Sequence, residues 1–318
     1  FIAFASVAWG GALSAQSAHA QATGPAPLTI VIPFAPGGAS DLVVRLLADG
    51  LARELGRPVV SENKGGGGGL IAAAAVGRAA PDGHTLLYGN QGKMVVARHL
   101  VAANSLEPRS VLMPLALTVR TQFFLVVPSG SPVPNAAALV AEGKRGRLRI
   151  GVPGIGSPPH LATVLFGEQT GAVIDIIPYQ GSAPLMVDLI AGRLDAAFDN
   201  VASSHAHVRS GKLRALGVSG TSRPAIAPDI STLAEAGVDG FDYQSWQGFF
   251  APKGTPGEQT ARLVAAIQKT LADPTIHQRL TDAGLEISTM SSDDFGALIA
   301  READEWDARV RKGLIRPA

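Results

Sequence analysis

Two α/β lobes, each a doubly wound parallel sheet covered by helices and joined by a chain that crosses between them twice, form the fold class that the sequence predicts. Three observations carry this expectation. Short apolar runs alternate with helical patterns from residue 28 onward, the alternation starts again near residue 147, and beyond residue 256 the chain turns helical to its end. With 318 residues, 46% of them hydrophobic, there is enough chain for two cores.

Taken in order, LTIVIPF is a continuous apolar run, as expected of a strand buried on both faces. DLVVRLLADGLARELG places Leu42, Leu46, Leu47, Leu51 and Leu55 on one helical stripe, and Gly56 stops it. RPVVSEN reads as a second strand, KGGGGG as a loop and LIAAAAVGRAA as a helix. PDGHTLLYG supplies a turn and a third strand, and a less regular segment leads to FFLVVPS. The pattern then repeats: RGRLRIGVPG (strand), SPPHLATVLFGEQTG (helix), AVIDIIPY (strand) and GSAPLMVDLIAGRL (helix). DAAFDN, a helix around 202–211 and the strand LRALGVSG follow. After SWQGFFAPKGTP come three helical stretches, GEQTARLVAAIQKTLADP, TIHQRLTDAG and SSDDFGALIAREADEWDARVRKGL. Strand–helix alternation of this kind argues for parallel sheets with helices on both faces. The strand-like segments near 123–127 and 246–251 read as the crossings. Lobe one is then 28–125 plus 247–318, and lobe two is 126–246, with a double hinge between them.

Composition narrows the function. The formal net charge is +1 and no basic cluster stands out, so no nucleic-acid partner is expected. The nearest cluster, Lys144, Arg145, Arg147 and Arg149, reads as a solvated turn before a strand. There are no cysteines, which excludes disulfides and thiolate metal sites, and the seven scattered histidines suggest no metal. Residues 1–20 form an uncharged apolar stretch ending Ala18-His19-Ala20, a small-x-small site with cleavage after Ala20. It reads as the latter part of an export leader, because Gly, Ser and Gln dilute the apolar run below what a membrane anchor requires.

Ligands of open parallel sheets bind beyond the carboxyl ends of the strands, where helix N-termini converge. Three loops at such positions share one chemistry. In Pro33-Phe34-Ala35-Pro36-Gly37-Gly38-Ala39-Ser40-Asp41, the glycines permit close backbone approach and Ser40 is a candidate cap. In Gly151 to His160, Gly154 and Gly156 precede Ser157 as N-cap, and Pro158 suits the first helical position. In Tyr179-Gln180-Gly181-Ser182-Ala183-Pro184 the Gly-Ser-x-Pro order returns. Unpaired amides and the helix dipole make each turn an anion site, worth roughly 0.3 to 2 kcal/mol. Micromolar affinity needs about 8 kcal/mol, so apolar burial of the ligand has to contribute. Phosphate is disfavoured: no G-x-G-x-x-G or GK[ST] stands in these loops, and Lys64 precedes the pentaglycine instead of following it. A hydrolase built from Ser157, His160 and Asp199 is the reading from another class. Against it, Ser157 lacks the G-x-S-x-G elbow and is accounted for as a cap.

PFAPGGASD, GRPVVSEN, RAAPDGHTLLYG, GIGSPPHLA, PYQGSAPLMVDLIAGRLDAAFDN, SGKLRALGVSG, LAEAG and SWQGFFAPKGTP together resemble the extracytoplasmic solute receptors of tripartite tricarboxylate transporters, the Bordetella uptake gene family. The resemblance runs from about Leu28 to the C-terminus. It implies a type II periplasmic binding protein, exported and monomeric, without cofactor or catalysis. Such a receptor closes on a small organic carboxylate and presents it to two membrane subunits. A sensor delivering its loaded state to a membrane-bound kinase is the alternative within the same fold. Carried over, the loops Phe34 to Asp41 (with Gly37, Gly38, Ala39 and Ser40) and Gly154 to His160 (with Gly156 and Ser157) grip one carboxylate through amides, hydroxyls and water. Asn90 to Lys93, Tyr179 to Ser182 (with Gly181) and Asp199 read the far end of the ligand. Three departures stand out: Leu70-Ile71-Ala72 after the glycines, where the family often has Asn and then Ile-Gly; Gly89-Asn90-Gln91-Gly92-Lys93 after the third strand; and a weak match over 101–114. If Lys93 faces the cleft, it pairs with a second carboxylate and favours a diacid. Phe34, Tyr179 and Trp246 are candidates for an apolar slot.

Overall fold

LTIVI forms β1 (Leu28–Ile32), and helices on both sides of its sheet keep it almost wholly buried. The structure, a computed structural model, describes residues 25–34, 36–100 and 106–315; the leader over residues 1–20 lies outside them. Beside β1 run β2 (Val59–Asn63) and β3 (Thr85–Asn90), both parallel to it. The sheet is completed by β4 (Leu112–Thr121), β10 (Ser245–Pro252) and β11 (Leu285–Ile287), in the order β11-β4-β10-β3-β1-β2. The second sheet has the order β7-β6-β8-β5-β9, from β5 (Phe123–Pro128), β6 (Arg147–Val152), β7 (Val173–Pro178), β8 (Ala196–Asn200) and β9 (Leu213–Val218).

Helices α1 (Ala39–Leu55), α2 (Leu70–Gly77), α3 (Ala97–Leu100), α4 (Pro108–Val111), α9 (Gly257–Leu271), α10 (Pro274–Asp282) and α11 (Ser292–Arg311) accompany the first sheet. Helices α5 (Ala136–Arg145), α6 (Pro158–Thr170), α7 (Ser182–Ile190) and α8 (Val201–Arg209) accompany the second. Between β3 and α3 the chain makes a wide π-type turn, Gly92–Val96. This is the two-lobed fold of a type II periplasmic binding protein.

Three details differ from the sequence expectation. Both sheets are mixed: β10 and β11 run antiparallel to their neighbours in one, and β5 does so in the other. β5 and β10 arrive from the opposite lobe and enter their sheets from the far end, so their direction is reversed; β11 follows α10 within its own lobe and pairs antiparallel at the sheet edge. Second, β5 and β10 each lie wholly in one sheet; the crossings are the short step Thr121–Phe123 and the longer return between β9 and β10. The strands thus divide near Gln122 and Ser245, a few residues before the expected boundaries. Third, β4 and β11 are strands that the periodicity does not disclose. In β4 the interruption is Pro114, which sits at a register irregularity opposite Phe250, where a missing N–H is tolerated.

One apolar cluster runs through both lobes, from Val31, Leu87 and Val95 to Leu125, Ile150 and Phe198. Polar contacts lock the same seam. Arg309 of α11 bonds Glu168 of α6 at 2.7 Å, and the Tyr243 hydroxyl donates to Gln91 Oε1 at 2.6 Å. Trp246 is fully buried, packs edge-on against Phe295 and donates its indole N–H to Glu302 at 2.7 Å. It is therefore a core residue and not part of a ligand slot.

Gly248 marks where β10 passes under α11. A Cβ there would stand 2.6 Å from the Ala116 carbonyl oxygen and 2.8 Å from the Phe295 ring. Gly248→Ala is expected to cost about 1–3 kcal/mol and to lower the melting temperature by several degrees. Gly257→Ala, with open space at its Cβ, should leave it unchanged or slightly raised. Equal melting temperatures for the two variants would contradict this packing.

Candidate functional site

The first loop leaves β1 at Ile32 and turns through Gly37, whose φ of 87° favours glycine. Gly38 occupies the N-cap of α1 with no side-chain cap. The first-turn amides therefore have no acceptor within the helix, and Gly37, Gly38 and Ala39 are exposed. Ser40 is not the cap. It is the second residue of α1, buried, and its hydroxyl donates to Gln247 Oε1 on β10 at 2.8 Å. Asp41 also turns inward, where Oδ2 accepts Arg45 Nε at 2.8 Å and the Gly37 amide at 3.0 Å. The Arg45 bond holds its pKa below 3.8, with burial opposing and Gly37 and Asn63 adding to the effect. Asn63, at the end of β2, donates to the Phe34 carbonyl at 3.2 Å and steadies the loop.

The second loop is built differently from the amide cradle that its sequence suggests. Ser157 caps α6, accepting the His160 amide and donating to the Gly154 carbonyl at 2.7 Å. Pro158 and Pro159 then fill the first two helical positions, and neither has an N–H to give. The Gly156 amide is already bonded to His160 Nδ1 at 3.0 Å, so in the neutral ring the proton sits on Nε2. The bare backbone here serves contact between lobes. A Cβ on Gly92 would stand 2.3 Å from the Gly156 carbonyl oxygen, and one on Gly156 would stand 2.3 Å from Leu100 Cδ1. Ser157 and the Nδ1 of His160 are thus committed locally, and no hydrogen bond joins their side chains to Asp199 among the described residues.

In the third loop Gly181 (φ 110°) precedes α7 and leaves its start without a side-chain cap. The loop lies beside the second one: the Tyr179 amide bonds the Val152 carbonyl at 2.9 Å. The Tyr179 hydroxyl is directed back to Asp188 at 2.8 Å. Asp199 has no exposed surface and accepts from the hydroxyls of Ser182, Ser203 and Ser204. Burial raises its pKa above 3.8, against the pull of these three bonds and the Asn200 amide. It sets the position of Ser182 and presents nothing to solvent.

Asn90 is buried at the end of β3, and its Oδ1 accepts the Lys93 amide at 3.1 Å. The Lys93 ammonium stands 5.5 Å from the centre of the Phe34 ring. The structure therefore links Asp41, Asn63, Phe34 and Lys93 in lobe one, and brings Gly92 against Gly156 of lobe two. Gln247 and Asn63 are not legible as site residues in the sequence, whereas Gln91 falls within the segment Asn90 to Lys93. Gln247 meets Ser40 across 207 positions of sequence, and no local pattern signals such a contact. A cavity of about 1080 Å³ lies between α6, β11 and α11, with Gln91, Arg120, Gln169, Glu286 and Glu305 in its walls and none of the three loops.

Burial lowers the His160 pKa from 6.5 to about 4. Between those values the unfolded chain takes up a proton that the folded ring refuses. Stability present above pH 6.5 is therefore lost as pH falls toward 4, by roughly 3 kcal/mol. Asp199, with its pKa raised, contributes the opposite slope, losing stability as pH rises from 3.8. Denaturant unfolding of His160→Gln should lack the decline below pH 6.5 shown by the wild type; parallel curves would rule out a neutral buried imidazole.

The family model of the tripartite tricarboxylate transporter family receptor matches residues 43–314. Protein BugT of Bordetella pertussis is 32% identical over 289 residues, covering 90% of this chain and 89% of that protein. Among solved structures, Rpa4515 of R. palustris with adipate superposes with a TM-score of 0.81 at 31% identity, covering 92% of this chain and 99% of the other. The periplasmic binding protein BugD superposes with a TM-score of 0.76 at 33% identity, covering 91% and 98%. A match of this extent settles descent: the chain belongs to the family of tripartite tricarboxylate transporter receptors.

Proposed function

We propose that this receptor captures a small organic carboxylate between its lobes in the periplasm and delivers it, as a monomer and without catalysis, to the two membrane subunits of a tripartite transporter. The observation that carries the reading is the uncapped, exposed start of α1 behind Gly37 and Gly38. Free amides and the positive end of a 17-residue helix suit an anion there. The solved relative with adipate supports the same ligand class.

The grip is asymmetric. Lobe one offers the α1 amides. Lobe two, whose α6 begins with two prolines, contributes the dipole of that helix, the uncapped start of α7 and the Nε2–H of neutral His160. A ligand touching both lobes binds the closed form better and shifts the hinge equilibrium toward it. In this proposal the moving bodies are residues 28–125 with 247–318 and residues 126–246, with boundaries adjusted to the strands.

A thermal-shift panel on refolded protein tests the reading, with linear diacids, tricarboxylates, amino acids and aromatic acids set against their amides or esters. A ligand at 100 times its dissociation constant is expected to stabilise by about 2.7 kcal/mol. Melting temperatures that respond to no acid, or equally to acid and amide, would reject a carboxylate cleft.

A further inference from the structure

Lys93 occupies an unusual place among the lysines of the described residues. Lys64, Lys269 and Lys312 pair with Glu62, Glu54 and Glu168, while Lys144, Lys212 and Lys253 are exposed. Lys93 alone is half-buried and forms no ion pair with a carboxylate of the described residues.

Its placement is built by its neighbours. The backbone N–H is fixed by Asn90 Oδ1, at the entry to the wide turn Gly92–Val96. The aliphatic stem runs along Gly69, the last residue of the pentaglycine. A Cβ on Gly69 would stand 2.9 Å from Lys93 Cδ and 3.1 Å from Cγ, so a side chain there would push the stem aside. The φ of 95° at Gly69 favours glycine as well. The ammonium ends 5.5 Å from the centre of the Phe34 ring, against the first loop. A cation over an aromatic face gains modestly, but partial removal from water without a counter-charge opposes it, and desolvation lowers the pKa of this lysine. A ligand anion would supply the missing charge.

We propose that Lys93 is a specificity-determining residue of the cleft, its ammonium pairing across Phe34 with a second carboxylate of a ligand whose first carboxylate rests on the start of α1. The inference rests on the carboxylate-binding reading above and adds a selection for diacids over monoacids. It also gives the end of the pentaglycine a purpose, as room for the lysine stem.

Titration calorimetry tests it with linear diacids from succinate to adipate, their monoamides and the matching monoacids, on wild type, Lys93→Gln and Lys93→Arg. The wild type should prefer a diacid over its monoamide by about tenfold to a hundredfold. Lys93→Gln should abolish that preference while leaving monoacid affinity within about twofold, a range too small to signal a lost ion pair. Lys93→Arg should restore part of it, and equal melting temperatures of the unliganded proteins would show that the fold is intact. Equal losses on diacid and monoacid in Lys93→Gln would overturn the proposal by showing that Lys93 serves a single carboxylate. A wild type that binds monoacids as well as diacids would overturn it while leaving the carboxylate cleft standing. A wild type that binds no acid would remove both readings.

Discussion

The pairing of β4 with β10 is the constraint on which the rest of the structure depends. One strand leads the chain out of the first lobe and the other brings it back, and they lie side by side with Thr121 opposite Ser245. Both crossings therefore fall close together, which gives the two sheets a common line about which to rotate. Ser219 fastens that line from the second lobe: its hydroxyl accepts the Phe123 amide at 2.9 Å and donates to the Tyr243 carbonyl at 2.7 Å. Buried polar groups normally find such partners.

The returning strand also connects the hinge to the loops. Successive residues of a strand point to opposite faces, and β10 uses both. Trp246 faces α11 and bonds Glu302, whereas Gln247 faces α1 and accepts from Ser40. Burial raises the Glu302 pKa above 4.5, while its bonds to Trp246 and Gln91 oppose that rise. Gln91 in turn accepts from Tyr243 and stands next to Gly92, which touches the Gly156 backbone of the other lobe. The start of α1, the end of β3 and the C-terminal helix are thus all fastened to the same short segment, residues 243–247.

How much of this is legible depends on whether the signal is local. The glycine-rich turns, the strand before each and the helix after each are readable from short stretches, because φ > 0 and missing side chains leave a mark in sequence. Strand direction is not, since reversal of β10 follows from where the chain returns and not from its composition. β4 is hidden by Pro114. Within the site, the capping role of Ser157 is readable three residues ahead of the amide it accepts. Ser40 departs from its expected capping role because its partner is distant in sequence. The free amides expected at α6 are lost to Pro159 and to the ring of His160. Asp199, expected to read the far end of the ligand, is enclosed by three serine hydroxyls, one of them on α7 and two on α8.

The placement of the tryptophans has an optical consequence. Trp246 and Trp306, the two in the described residues, are both buried at the seam between the lobes. Trp246 bonds a carboxylate of α11, and Trp306 lies under Arg309, the residue that reaches Glu168 across the seam. Trp246 and Glu302 move as one body, so a rotation that parted Arg309 from Glu168 would alter the charge beside Trp306 alone. Under the proposed closure, Trp306 emission of the unlabelled protein would follow the movement, which stopped-flow fluorescence would then time without an attached dye.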